Sequence, residues 1–157
     1  MIKKNKIKIV VVLDNIRSMH NIGSIFRTCD ALGVKSIILC GICAVPPNKE
    51  IHKTALGATE FVPWQYFKNT HEAIMDLKNK NYEIVSMEQT DNSISLTNFI
   101  PVKNKVGLIL GNEVNGVDSE IIKLSSSIVE IKQYGIKKSI NVGIAAGIAL
   151  WSILNKN

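Results

Sequence analysis

The sequence has 157 residues, with 19 Lys and Arg against 13 Asp and Glu, for a formal net charge of +6. At about 150 residues per domain this is a single domain covering residues 1–157, and 46% hydrophobic with 20% charged residues excludes a disordered chain. The longest near-apolar run, Ile140 to Leu154, falls short of the roughly 20 residues that span a bilayer, and the basic start MIKKNKIKIVVVLD lacks a cleavage site, so we expect a cytoplasmic protein with no membrane partner.

Lys8 to Leu13 (KIVVVL) is a continuous β-branched run, as expected of a strand buried on both faces. Asn21 to Leu32 has helical spacing, with Ile22, Ile25, Cys29 and Leu32 on one stripe, capped by Asn21 or its neighbour and stopped at Gly33. Ser36 to Cys40 predicts a second strand, and Val45 to Lys49 a loop. Glu50 to Leu56 predicts a helical turn ended by Gly57; Phe61 to Tyr66 is ambiguous. Thr70 to Lys80 is an amphipathic helix and Tyr82 to Met87 a strand; Asp91 to Lys103 is polar and turn-rich. Lys105 to Leu110 predicts a strand, Asp118 caps a helix to about Leu124, Ile128 to Ile131 predicts a last strand, and Ser139 caps a final helix to about Leu154. The alternation predicts an α/β domain on a largely parallel sheet. Ligands of such sheets bind at the carboxyl ends of strands, which selects the residues after Leu13, Leu110 and Ile131.

The positive charge is a weak pointer to nucleic acid. Seventeen of the 19 cations are Lys and Asn occurs 15 times, a bias that reflects genome composition as readily as a polyanionic partner. The two arginines, Arg17 and Arg27, are more informative because they lie in one segment. Lys3, Lys4, Lys6, Lys49, His52 and Lys53 could contact phosphates, against a default of solvated side chains. Cys29, Cys40 and Cys43 form no disulfide framework. Cys40-Gly-Ile-Cys43 has C-x-x-C spacing but no second pair and no His at ligand spacing, so it reads as two small apolar residues at a strand end, and no metal is expected.

Three segments could carry chemistry. Asp14 to Arg27 joins a buried strand to a helix whose free N–H groups suit an anion. Ser24, Arg27, Thr28 and Ala31 leave the apolar stripe, so Arg27 either forks onto a phosphate or carboxylate or is a solvated surface group. His20 is either a base or polar surface. Gly111-Asn-Glu-Val-Asn-Gly116 lacks the Lys-Ser/Thr of a P-loop and is not G-x-G-x-x-G; it is a tight turn at which bare backbone can approach a ligand, or an ordinary Asn-Gly turn. In Ser139 to Trp151, Gly143 and Gly147 each cost the helix about 1 kcal/mol relative to Ala, and their spacing allows close approach of another backbone. Ser139 and Asn141 read as helix caps or as polar groups needing partners.

Taken in order, NIGSIFR (Asn21 to Arg27), LGNEVNG (Leu110 to Gly116) and IKQYGIKKSINVGIAAGIAL (Ile131 to Leu150) resemble the three motifs of the SpoU family, RNA ribose 2′-O-methyltransferases of the SPOUT superfamily. The likeness runs from about Val10 to Trp151. It implies a SPOUT-type α/β knot, with a C-terminal trefoil that connectivity rules alone would not predict, and a homodimer with each site built across the subunit interface. Carried onto this chain, Arg27 matches the catalytic arginine, Asn21 the first-motif asparagine, Glu113 the second-motif glutamate, and Ser139 and Asn141 the polar pair of the third. Leu110, Gly111, Ile131 and Ile140 fall where the family's backbone holds S-adenosylmethionine. RNA contacts are expected from Arg17, Arg27, Lys49 and Lys53. The chain departs from the family at Ile131-Lys132-Gln133, where Ile-Pro-Met is usual, and at Ile140, where Leu is usual.

The implied reaction is attack of a ribose 2′-hydroxyl of tRNA or rRNA on the methyl of S-adenosylmethionine. Guanidinium is not a free base, so Arg27 is expected to grip the phosphate beside the target ribose and stabilise the developing alkoxide. The rival reading is a non-catalytic RNA-binding module that keeps the SPOUT fold. A redox or dinucleotide protein built on Cys40 and Cys43 is remote, because the glycine fingerprint is absent.

Overall fold

The computed structural model describes residues 7–156; Lys3, Lys4 and Lys6 lie outside the described residues. In chain order the elements are β1 (Lys8–Asp14), α1 (Met19–Ala31), β2 (Ser36–Cys40), α2 (Lys49–Ala55), a 3-10 turn at Ala58–Glu60, β3 (Trp64–Phe67), α3 (Thr70–Asn79), β4 (Glu83–Met87), β5 (Ile94–Ser95), β6 (Lys105–Leu110), α4 (Ser119–Leu124), β7 (Ser127–Glu130) and α5 (Val142–Leu154). All ladders are parallel, in the order β3-β2-β1-β6-β4-β7-β5.

The β-branched strands make sense in this arrangement, because helices cover both faces of the sheet. Along β1 successive side chains alternate between two cores. Ile9, Val11 and Leu13 pack with Ile22, Ile25 and Phe26 of α1 and Ala146, Ala149 and Leu150 of α5. Val10 and Val12 face Ala73, Ile74 and Leu77 of α3 and Ile121 of α4 on the other side. A one-residue slip would exchange these two faces wholesale, so the register is strongly specified.

Three expectations need correction. First, α1 begins at Met19, because Ser18, not Asn21, is its cap: the Ser18 backbone is extended and its Oγ accepts from the Asn21 N–H at 3.1 Å. Asn21 is left inside the first turn, where its side chain caps nothing and instead accepts from Asn141. Second, α5 begins at Val142. Its cap is Asn141, whose Oδ1 accepts from the N–H groups of Gly143 at 2.8 Å and Ile144 at 3.2 Å, and Ser139 lies two residues outside the helix. Asn caps as well as Ser, so residue type could not choose between them. Third, the turn-rich stretch 91–103 is not all loop. It contributes β5 at the sheet edge and buries Leu96 and Phe99, anchored by the Leu96 N–H to the Glu130 carbonyl at 2.8 Å.

The packing of α1 against α5 explains the small residues. A Cβ added to Gly143 would sit 3.7 Å from Ser24 Cβ, and one on Gly147 3.8 Å from Thr28 Cγ2. The polar-to-small face of α1 is thus the face on which α5 rests. No helix among the described residues is long and apolar enough to cross a membrane.

Candidate active site

A cleft of about 600 Å³ opens at the carboxyl ends of β4, β6 and β7. Two of the three strand ends picked out in the sequence, those after Leu110 and Ile131, form its walls, with Leu110, Gly111, Ile131 and Ile140 all lining it. The residues directly after Leu13 do not line it; that segment reaches the cleft only through Asn21, in the first turn of α1. The end of β4 (Met87, Glu88 and Gln89) also lines the cleft and was not anticipated. Reading Tyr82 to Met87 as a strand of the parallel sheet puts its carboxyl end on this edge, but no local pattern places it between β6 and β7, where the cleft lies.

The turn after β6 is held on every side. Asn112 and Gly116 exchange backbone hydrogen bonds of 3.0 and 2.8 Å. Asn112 Oδ1 accepts from the N–H groups of Val114 and Asn115, and its Nδ2 donates to the Asn15 carbonyl at 2.7 Å. Gly116 has φ +70°, a conformation that favours glycine. The Glu88 carboxylate lies directly against it, Oε2 accepting from the Val117 N–H at 3.0 Å and Oε1 from the Gln89 N–H at 2.9 Å. Gly111 is pressed onto the backbone of Gly116 and Val117, where any Cβ would overlap main-chain atoms. Beneath the turn the buried Asp14 carboxylate accepts from Thr70 Oγ1 and from the Asp118 N–H, tying the start of α4 to the end of β1.

Glu113 spans from this turn to the start of α1. Its Oε2 accepts from the Arg17 N–H and its Oε1 from the Ser18 N–H, each at 3.0 Å. Partial burial opposes its charge, but the hydrogen bonds it accepts, from the Arg17 and Ser18 N–H groups first, then its own N–H and the Asn21 side chain, together hold the carboxyl below its ordinary range. Asn141 Nδ2 donates to Asn21 Oδ1 at 3.0 Å. Asn21, Glu113 and the pair Ser139 and Asn141, from three segments distant in sequence, therefore share one cleft.

The basic residues are not gathered there. Arg27 lies on an exposed position of α1 and is not part of the cleft of its own chain. Arg17 is exposed and meets the site through its backbone. Lys49 is exposed, and Lys53 pairs at 2.9 Å with Glu50, which also faces His20 at 2.9 Å. All three cysteines are buried. Cys43 Sγ accepts from the Ile16 N–H and donates to the Leu13 carbonyl, and desolvation pushes the Cys40 thiol up to about 12. The C-x-x-C spacing is packing. No group of His, Cys, Asp and Glu that could hold a metal occurs among the described residues.

The geometry agrees with a comparison of the whole chain with known proteins. Residues 8–151 match the model of the SpoU rRNA Methylase family. The chain belongs to the SpoU methylase family. Among its relatives, the tRNA (guanosine(18)-2′-O)-methyltransferase of Aquifex aeolicus is 30% identical over 96% of this chain and 71% of the relative. A putative TrmH family tRNA/rRNA methyltransferase of Staphylococcus saprophyticus is 28% identical over 98% of this chain and 61% of its own length. The AdoMet-bound rRNA methyltransferase of Sinorhizobium meliloti superposes with a TM-score of 0.87 at 29% identity, covering 92% of this chain but 55% of that one. The A. aeolicus TrmH/SpoU tRNA modifying enzyme gives 0.83 at 28%, covering 94% and 74%. This SpoU chain thus corresponds to one portion of several longer relatives.

Proposed function

We propose that the chain is an S-adenosylmethionine-dependent RNA ribose 2′-O-methyltransferase acting on tRNA or rRNA. The observation that carries this reading is the convergence of Asn21, Glu113, Ser139 and Asn141 on a cleft whose floor is crowded backbone. S-adenosylmethionine, when bound, supplies a methyl group on a sulfonium centre. The cleft fits such a ligand in size and chemistry. Its volume lies in the range of small-molecule sites. Gly111 lets the turn at the cleft floor fold tightly on itself, because a Cβ there would overlap the Gly116–Val117 main chain. The carboxylates of Glu88, Glu113 and Glu130 line the cleft and complement a cation. Leu110, Gly111, Ile131 and Ile140 are the residues that would hold the cofactor.

In this reading the chain's own groups mainly align and desolvate the reactants. Glu113 is engaged by two N–H groups, so it stays ionised and serves as a fixed strut rather than a proton acceptor. Asn141 and Asn21 set the mouth of the cleft. Arg27 approaches from a second copy of the chain, grips the phosphate beside the target ribose and stabilises the negative charge that develops on the 2′-oxygen, whose proton passes to water at the mouth of the cleft. Two features support a homodimer. Arg27 is absent from its own cleft, and α5 exposes an apolar face with Ile144 59%, Ile148 43% and Trp151 63% accessible. The segment 131–141, returning past the β6 turn into α5, is the part we assign to the trefoil knot. Arg17, Lys49 and Lys53 remain candidate phosphate contacts on the rim, and the expected place of action is the cytoplasm.

Titration calorimetry with S-adenosylmethionine, followed by transfer of a labelled methyl group to bulk tRNA and rRNA, tests the reading. Mass mapping of ribose methylation in RNA from cells lacking the gene then locates the nucleotide. RNA binding without cofactor binding would leave the non-catalytic module in its place.

A further inference from the structure

The segment between β7 and α5 carries two features that the chemistry above does not use. Gln133 and Lys138 both line the cleft, whereas the residues between them do not. The chain therefore leaves the cleft rim after Gln133 and returns to it at Lys138, forming an arch beside the mouth. On that arch Tyr134 is 88% and Ile136 97% exposed, and Val114 of the β6 turn, which also lines the cleft, is 75% exposed. Large apolar groups so fully in water stabilise nothing within this chain. The same stretch, 131–141, contains Lys132, Lys137 and Lys138 and no carboxylate, and Lys132 Nζ stands 5.8 Å from the centre of the Tyr134 ring.

We propose that Tyr134 is a stacking platform for an unpaired nucleobase of the RNA substrate, next to the nucleotide whose ribose enters the cleft. An aromatic ring with neighbouring ammonium groups is the pairing that single-stranded RNA favours: every base has a face to stack, and each is followed by a phosphate to neutralise. Lys132 is placed to meet the phosphate of the stacked nucleotide, and Lys137 and Lys138 carry the backbone towards the cleft. A protein partner would be served by the apolar groups but not by three uncompensated lysines. The inference rests on the RNA-methyltransferase reading, and it adds that the substrate is single-stranded at this point.

The test uses the full chain, saturated with S-adenosylhomocysteine, and a 12-nucleotide single-stranded RNA containing 2-aminopurine, whose fluorescence falls on stacking. We expect quenching with the wild type, affinity within about two-fold for Tyr134→Phe, and a loss of about ten-fold or more with loss of quenching for Tyr134→Ala, in line with measured base–aromatic stacking. Calorimetry should give the same S-adenosylmethionine affinity for all three proteins. Wild-type RNA affinity in Tyr134→Ala would overturn the proposal. So would a loss accompanied by a fall in sedimentation mass, which would make Tyr134 a contact between two copies. Absence of methyl transfer by a wild type that still quenches the probe would instead count against the enzyme reading and leave the platform standing.

Discussion

Asn141 closes a gap of 120 residues by donating its Nδ2 to Asn21 Oδ1 at 3.0 Å, while its Oδ1 caps the helix that follows. One side chain thus does two separable jobs. Asn141→Ala removes both, and should lower stability by about 1 kcal/mol through the lost cap, a fall in Tm of about 2–4 °C at this chain length. Asn141→Ser keeps a capping oxygen but cannot reach Asn21. It should melt within about 1 °C of wild type while methyl transfer falls about ten- to hundred-fold. Scanning calorimetry beside a transfer assay separates the two jobs; equal losses of activity and stability in both variants would show that they cannot be separated.

Glu113 makes stability depend on pH in a definite direction. Its carboxyl lies below the ordinary 4.5 in the folded chain, so its contribution is fully present above that value and is lost as pH falls through the lowered one. Glu113→Gln does not titrate and retains only one acceptor for two N–H groups. The wild type should therefore melt higher than Glu113→Gln by a constant margin between pH 7 and about pH 5. That margin should shrink at more acid pH. Parallel melting curves from neutral to acid pH check it, and a margin that grows on acidification would reverse the sign assigned here.

Gly111 and Gly23 are both too crowded for a Cβ, at different places. At Gly111 the obstruction is the Gly116–Val117 backbone; at Gly23 it is Thr54 Oγ1 and the Ile51 carbonyl of α2. Alanine at either position should cost about 1–3 kcal/mol of stability. Only Gly111→Ala should abolish S-adenosylmethionine binding, because only there must the cleft floor move. Denaturant titration with calorimetry distinguishes these outcomes.

For Arg27, the expected pattern is retained cofactor binding with lost chemistry. Arg27→Ala and Arg27→Lys should bind S-adenosylmethionine within about two-fold of wild type and lose roughly 10²–10³ in transfer rate. Lysine should fail because a point charge cannot reproduce the planar fork. Near-normal turnover in both variants would remove Arg27 from the mechanism.

The cysteines should be chemically silent. Desolvation raises the thiols of Cys29, Cys40 and Cys43, and reactivity follows the thiolate. A disulfide exchange reagent at about pH 8, where a free thiol is substantially ionised, should label the native chain slowly and all three cysteines at once in denaturant. Rapid labelling of Cys40 or Cys43 in the folded state would reopen a redox role.

Periodicity and residue type alone were enough to identify β1, β2 and β6 almost to the residue, the parallel sheet, and the cap of α4 at Asp118. They did so because β-branched runs, turn glycines and a capping Asp act through near neighbours. The motifs NIGSIFR, LGNEVNG and the stretch around Ser139 were likewise legible as strings. Which of them touch was decided by the tertiary structure. Asn141 rather than Ser139 caps α5, and the same side chain meets Asn21, a pairing across 120 residues that local sequence does not specify. Glu88 lines the cleft because β4 lies between β6 and β7, an order no local pattern encodes. Leu96 and Phe99 are core residues only because β7 passes beside them. Local conformational preference is written residue by residue, whereas a site is a set of distances between segments, and those distances exist only once both faces of the sheet have been buried.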